Sequence, residues 1–187
     1  MSGVFWKETA RLRDFFKFEF FYPKKKRFKL ELEQELKRID PDWEQRLEQG
    51  GREIQALLDE MGPQIAHATL LTFVEAYSVV FDLLARLDEK EGLEESDCVS
   101  MALKAGRQAY LQRRITSEAS IGKLLFQNGF KLAQNLGLTE GGGEDIAAKR
   151  IQLLRDFKEL SVRLERIRLL DLSSHSDAAM VKNDATT

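Results

Sequence analysis

This 187-residue chain has one cysteine, three prolines and two histidines. A lone cysteine, Cys98, excludes an intrachain disulfide and suits a reducing compartment. Few prolines leave long helices possible, because each proline inside a helix removes a hydrogen bond and clashes with the preceding turn. With only His67 and His175, little material is left for a metal site or for proton transfer near neutral pH. No apolar run, read residue by residue, approaches the roughly 18 residues of a membrane-spanning helix. The opening residues mix acidic and basic side chains with scattered aromatics, unlike a secretory leader.

Charge is plentiful but nearly balanced in total. Charged residues make up 32% of the chain and the net charge is −2. The balance hides an asymmetry: residues 1–29 carry nine Lys or Arg against three Asp or Glu, so that end is basic and the rest acidic. A basic end on an acidic chain suits phosphate groups, an anionic membrane surface or an acidic neighbouring domain. The patch is too small to predict a nucleic-acid partner.

Hydrophobic residues make up 43% and recur at helical spacing throughout. Helices are predicted over 3–20, 24–39, 53–61, 64–88, 98–113, 117–137 and 146–170, with a short helical piece at 43–49 and a joint at Gly50-Gly51. The fold class is all-α, an irregular bundle of about six helices. Phe16, Phe18 and Phe20 alternate with Lys17 and Glu19, which is also a strand pattern, before Pro23 ends the run. The stretch 113–138 reads as one helix capped by Ser117 and closed by Gly137. Its polar stripe is Lys123, Gln127, Lys131 and Gln134, and most of its remaining surface is apolar. In the last helix Ile151, Leu154, Phe157, Leu160, Leu164 and Ile167 form the predicted apolar face. Gly141, Gly142 and Gly143 read as a flexible connector. One helical domain is expected over 1–171, followed by a disordered tail over 172–187 that is small and polar.

Candidate chemistry is sparse. His67 lies between two alanines on a helix, and His175 lies in the tail without further ligands. Cys98 has no histidine near it in sequence, and no serine sits in a strand–turn–helix elbow. The three glycines lack the pattern of a phosphate loop. No catalytic, metal-binding or cofactor residue is assigned. The clearest functional feature is the run Lys24, Lys25, Lys26, Arg27 beside Phe20, Phe21 and Tyr22, which can set rings at a headgroup layer and ammonium groups at phosphate. Arg113 and Arg114 form a smaller cluster, expected to pair with the acidic 88–97 region.

Three stretches, FFKFEFFYPKKKRF, TFVEAYSVVFDLL and GRQAYLQRRITSEASIGKLLFQNGFKLAQNLGL, occur in this order and spacing. Together they resemble the C-terminal helical region of bacterial glycerol-3-phosphate acyltransferases, most like the actinobacterial type, over roughly residues 8–170. The resemblance implies a parent enzyme that moves an acyl group from acyl-CoA or acyl-carrier protein to glycerol 3-phosphate at the cytoplasmic face of the membrane. That family uses a histidine followed five residues later by an aspartate, and a Glu-Gly-Thr-Arg type motif. Here Thr72 stands five residues after His67 and Met180 five after His175, and the nearest approach to the second motif is Glu140-Gly141-Gly142. The resemblance therefore implies a non-catalytic part, inactive alone, peripheral to the membrane and partnered by a catalytic acyltransferase domain or chain. Phe15, Phe16, Phe18, Phe20 and Phe21 are expected at that domain contact, and the Lys24–Arg27 run at membrane or phosphate. A free-standing scaffold or adaptor using the 146–170 helix is the alternative.

Overall fold

The computed structural model describes the backbone of residues 2–61 and 66–184 and the side chains of residues 2–61 and 67–169. Among them all regular structure is helical: α1 (Ser2–Phe15), α2 (Lys25–Ile39), α3 (Trp43–Gln49), α4 (Gly51–Glu60), α5 (Ala66–Leu84), α6 (Glu95–Leu111), α7 (Lys123–Asn135) and α8 (Ile146–Asp184), with a 3-10 turn at Glu118–Ser120. The all-α expectation holds, with eight α-helices among the described residues in place of about six. The short pieces read at 43–49 and 53–61 are separate helices, with Gly50 as the joint that ends α3 and precedes α4. The tail 172–187 lies outside the residues whose side chains are described. Contacts divide the chain into two compact units, Met1–Gln64 with Ser174–Thr187, and Ile65–Ser173.

The first unit is built on aromatic edges. Phe5 and Trp6 of α1 meet the buried Trp43 of α3 at ring distances of 5.4 and 5.9 Å. After α1 the chain turns through 16–22 and forms no strand, which resolves the ambiguity of the alternating phenylalanines. Phe16, Phe20, Tyr22 and Phe28 then form a chain of edge-to-face pairs at 6.4, 6.1 and 5.4 Å, the geometry favoured by the ring quadrupole. Arg46 clamps α3 to α4, donating to Asp40 at 2.7 Å and to Glu60 at 2.6 Å. Its guanidinium holds both carboxyls below their usual range, chiefly through these hydrogen bonds.

The second unit packs around α5, which touches α6, α7 and the 3-10 turn. Tyr77 and Phe81 of α5 meet Phe157 of α8 at 5.8 and 4.8 Å, and Phe157 is fully buried. The stretch His67–Leu84 has mean hydropathy 1.3 and is long and apolar enough to cross a membrane, which corrects the residue-by-residue reading. Glu75 and Asp82 interrupt its runs without lowering the mean below that level. As 44% of the stretch is buried, it also fits the core helix of a folded unit.

Two loops are stitched together beside α8. Leu93 donates its backbone N–H to Thr139 at 2.8 Å, and Gly142 donates to Glu89 at 2.7 Å. A Cβ on Gly141 would lie 2.2 Å from the carbonyl oxygen of Lys90, so only glycine allows this approach. At this crossing Gly141 is thus packed against the Lys90–Glu91 backbone and Gly142 is hydrogen-bonded to Glu89, correcting the expectation of a flexible connector. Across the crossing lies Arg150, 1% exposed, whose guanidinium donates to the carbonyls of Leu138, Asp88, Glu91 and Glu140 at 2.9–3.1 Å.

The stretch 113–138 is not one helix. Arg113, with φ at 57°, and the following residues leave α6 by a turn. Ser117 does cap, but it caps the 3-10 turn, accepting from the Ala119 N–H at 3.2 Å. Glycine at 122 then starts α7. The C-terminal end is as predicted: Gly137 takes φ of 70°, and Leu138 donates to the Ala133 carbonyl at 2.9 Å. Leu124, 65% exposed, breaks the all-round apolar expectation, and Asn128 is buried instead.

Candidate functional site

A cleft of about 260 Å³ opens between α1 and α2. On α1 its wall is Trp6, Thr9, Ala10 and Arg13, the spacing of one helical stripe. The small side chains of Thr9 and Ala10 leave the space that Trp6 and Arg13 bracket. On α2 the wall is Lys25, Lys26, Phe28 and Lys29. Four cations and no carboxylate line it. Asp14 stands beside it, taking Lys25 at 2.8 Å and Arg13 at 2.8 Å.

Arg13 is fixed by its surroundings. It donates to the Pro23 carbonyl at 2.9 Å and lies over the rings of Tyr22 and Phe28 at 5.7 and 5.8 Å. Its Nε is buried and has no hydrogen-bond partner among the described residues. Lys29 lies over the Trp6 ring at 4.7 Å. Each such contact favours the cation by about 0.5–1 kcal/mol at an exposed site.

The predicted site residues fall around this cleft. Lys24 is the N-cap of α2 and lies outside the cleft, as does Arg27, which pairs with Glu31 at 2.6 Å. Lys25 and Lys26 line it. The run is therefore divided by the helix turn into two faces. Of the phenylalanines, Phe21 is fully exposed and Phe18 is 37% exposed, whereas Phe16 is buried and Phe15 and Phe20 are half-buried. Arg13, Lys29 and Trp6 were missed by sequence reasoning. Their signal was present as a basic and aromatic stripe at helical spacing on α1 and α2.

In the second unit a longer groove of about 590 Å³ runs across α5, α6 and α8. Its floor includes Val79, Leu83, Ala109 and Leu154, and Arg114 and Lys158 also line it. Glu75, buried on α5, stands at its edge and accepts from Thr116 N at 2.6 Å, Thr116 Oγ1 at 2.7 Å, Ser117 N at 3.4 Å and Ser120 Oγ at 2.6 Å. A carboxylate in the middle of an apolar helix was the available signal for this anchor. Arg114 donates to Gln112 at 2.8 Å, and neither it nor Arg113 shows an ion pair with the 88–97 region among the described residues, so that expected pairing is corrected. The turn carries both arginines away on the exposed side of the chain.

No catalytic assembly appears among the described residues. Cys98 is buried, and burial pushes its thiol up to about 12, far from a reactive thiolate. His67 has its Nδ1 buried without a hydrogen-bond partner, so no side chain orients it as a base. His175 lies beyond the described side chains. No group of three His, Cys, Asp or Glu among the described residues is placed to hold a metal. The apolar face of α8 is occupied: Leu153, Leu154, Phe157, Leu160 and Leu164 are buried, whereas Ile151, predicted on that face, is 39% exposed. Arg150 takes the inward position that Ile151 was expected to hold.

Comparison with known proteins gives a consistent result. Residues 2–141 match the family model described as the glycerol-3-phosphate acyltransferase C-terminal region. A protein of Mycobacterium bovis described as an acyltransferase, plsB1, is 30% identical over 160 residues, covering 86% of this chain and 25% of that protein. Counterparts in two strains of Mycobacterium tuberculosis match to the same extent. The chain thus spans about a quarter of the length of these relatives. No solved structure matches significantly. With three quarters of its length under one family model and 30% of its aligned residues identical to those of mycobacterial acyltransferases, this chain belongs to the glycerol-3-phosphate acyltransferase C-terminal region family.

Proposed function

We propose that this chain is the non-catalytic helical part of a glycerol-3-phosphate 1-O-acyltransferase, supporting a catalytic domain supplied by the rest of a longer protein or by another chain. The observation that carries this reading is the family match over residues 2–141 combined with the lack of an oriented base among the described residues. Acyl transfer to a hydroxyl needs a positioned base, and His67 has no such positioning. Phe18 and Phe21, exposed beside a basic helix, are the side chains offered to the catalytic partner. Lys24 and Arg27, on the other face of α2, suit an anionic membrane surface, which would place the protein peripherally at the cytoplasmic face.

Two measurements test this. The purified chain is assayed with glycerol 3-phosphate and acyl-CoA, alone and with a catalytic acyltransferase domain carrying the histidine–aspartate motif. No turnover alone, and complex formation that weakens in Phe18→Ser/Phe21→Ser, are the expected results. Turnover by the chain alone that is abolished by His67→Ala would make it an enzyme in its own right. The adaptor reading has lost its proposed surface, because the apolar face of α8 is used inside its own unit. It returns only if the chain self-associates and ignores both lipid and the catalytic domain.

A further inference from the structure

We infer that the groove across α5, α6 and α8 is a docking surface for an amphipathic helix of a partner protein, seated by an apolar stripe that acidic side chains flank. The shape of the groove follows from helical spacing. Along α5 it is lined by Glu75, Ser78, Val79, Asp82, Leu83 and Arg86. These stand at i, i+3, i+4, i+7, i+8 and i+11, which is one stripe on one face of a helix. At 1.5 Å per residue the stripe is roughly 16 Å long, or about three turns. Ala105 and Ala109 of α6 and Ser161 of α8 also line the groove, and their small side chains leave a channel of about 590 Å³. Val79, Ala109, Ile115 and Leu154 give it a buried apolar base, and Val162 stands in it 54% exposed. A channel of this length, apolar at its base and bordered by polar groups, matches the i, i+3, i+4 and i+7 anchors of a docked helix. A bare alkyl chain would take water from Asp82, Arg86 and Lys158 and offer them no partner.

Charge selects the partner. Of the two carboxylates in the lining, Glu75 is committed to Thr116, Ser117 and Ser120, and Asp82 accepts from Arg86. The Ser78 hydroxyl donates to the Val74 carbonyl at 2.7 Å and is satisfied within its own helix. Arg114 donates to the neutral Gln112, and neither it nor Lys158 shows an ion pair among the described residues. Both are exposed, Arg114 on the turn after α6 and Lys158 on α8. The groove therefore carries two uncompensated cations beside its apolar base. Carboxylates on the partner helix would pair with them, fix its register and exclude basic helices. Exposed pairs of this kind contribute more to specificity than to affinity, so the apolar stripe supplies most of the affinity. This inference rests on the groove alone and stands whether or not the acyltransferase reading does.

The probe is a displayed library of helical peptides with leucines fixed at helical spacing and the flanking positions randomised among Asp, Glu, Lys, Gln and Ser. It is selected on the full chain, and the enriched peptides are synthesised and titrated by fluorescence anisotropy. Enrichment of Asp and Glu over Lys beside the leucines, with saturable one-to-one binding, is the expected result. Val162→Asp places a charge on the exposed apolar group of the groove and should weaken binding about tenfold. Arg114→Glu/Lys158→Glu should weaken it about tenfold as well, and a lysine-flanked version of the same peptide should regain affinity for that variant. Leu124→Asp and Lys104→Glu/Lys131→Glu, at exposed positions outside the groove, should leave binding within about twofold. Equal losses in the variants inside and outside the groove would overturn the proposal in favour of diffuse surface contact. Selection without acidic enrichment would overturn the charge assignment, and a library that yields no binder would overturn the helix. A dimer of the chain in gel filtration that Val162→Asp dissociates would replace the partner helix by a second copy.

Discussion

At the scale of single residues, two buried polar groups anchor the second unit. Arg150 is surrounded by four carbonyls, and burial lowers its pKa while Glu91 partly restores it. Arg150→Met would remove the guanidinium from all four carbonyls, of which Asp88 keeps the Glu91 N–H. Chemical denaturation should show a loss of about 3 kcal/mol, with Arg150→Lys intermediate because one ammonium cannot reach all four. Cys98 gives a pH signature. Its folded thiol titrates near 12, above the ordinary 9.0, so the fold favours the protonated form. The associated stability is fully present below pH 9 and is lost as pH rises towards 12. Native protein at pH 8 should therefore resist a thiol reagent such as dithionitrobenzoate and react promptly once denatured. Fast reaction in the native state would show that Cys98 is accessible. Neither anchor was plain in the sequence. Arg150 occupies a core position that a charged residue seldom takes unless fully hydrogen-bonded, so periodicity assigned the inward face to Ile151.

At the scale of elements, helices were legible and their junctions less so. The C-terminal end of α7 was readable, because Gly137 and Leu138 carry a local signal that needs no tertiary partner. Its start was not. Ser117 is a good cap in isolation, but Glu75, 42 residues away, draws Thr116, Ser117 and Ser120 into a separate turn. The α1–α2 cleft was half legible: the basic run is evident, but which lysines share a wall with Arg13 depends on how two helices meet. The glycine stretch shows the same limit, since flexibility in sequence became close packing against a distant loop. Gly141→Ala should therefore destabilise the second unit by about 1–3 kcal/mol or more, through forced separation of the loops. Gly143→Ala, whose Cβ would meet only Ile146 at 3.8 Å, should stay within about 0.5 kcal/mol. Thermal or urea unfolding of the two variants side by side checks the contrast.

At the scale of the whole molecule, charge and family point the same way. The basic end of the chain carries the cleft and the exposed phenylalanines, and the acidic remainder carries the helical unit around α5. The chain spans about a quarter of the length of the mycobacterial relatives it matches. The stitched loops bear on how that chain could be divided. Leu93 and Thr139 are joined by a backbone hydrogen bond, so everything between them, α6, the turn and α7, leaves and re-enters the unit at one place. The far end of this excursion is the exposed stretch 110–114, where Arg113 already sits in a left-handed conformation. A break there interrupts no helix and leaves the crossing, Arg150 and the contacts of α7 with α5 in place. Separately made pieces, 1–112 and 113–187, should reassemble on mixing, co-elute in gel filtration and regain helical circular dichroism. Pieces that stay apart would show that chain continuity through this turn is indispensable. The covalent chain would then be only one of two ways of holding this unit together, the crossing being the other.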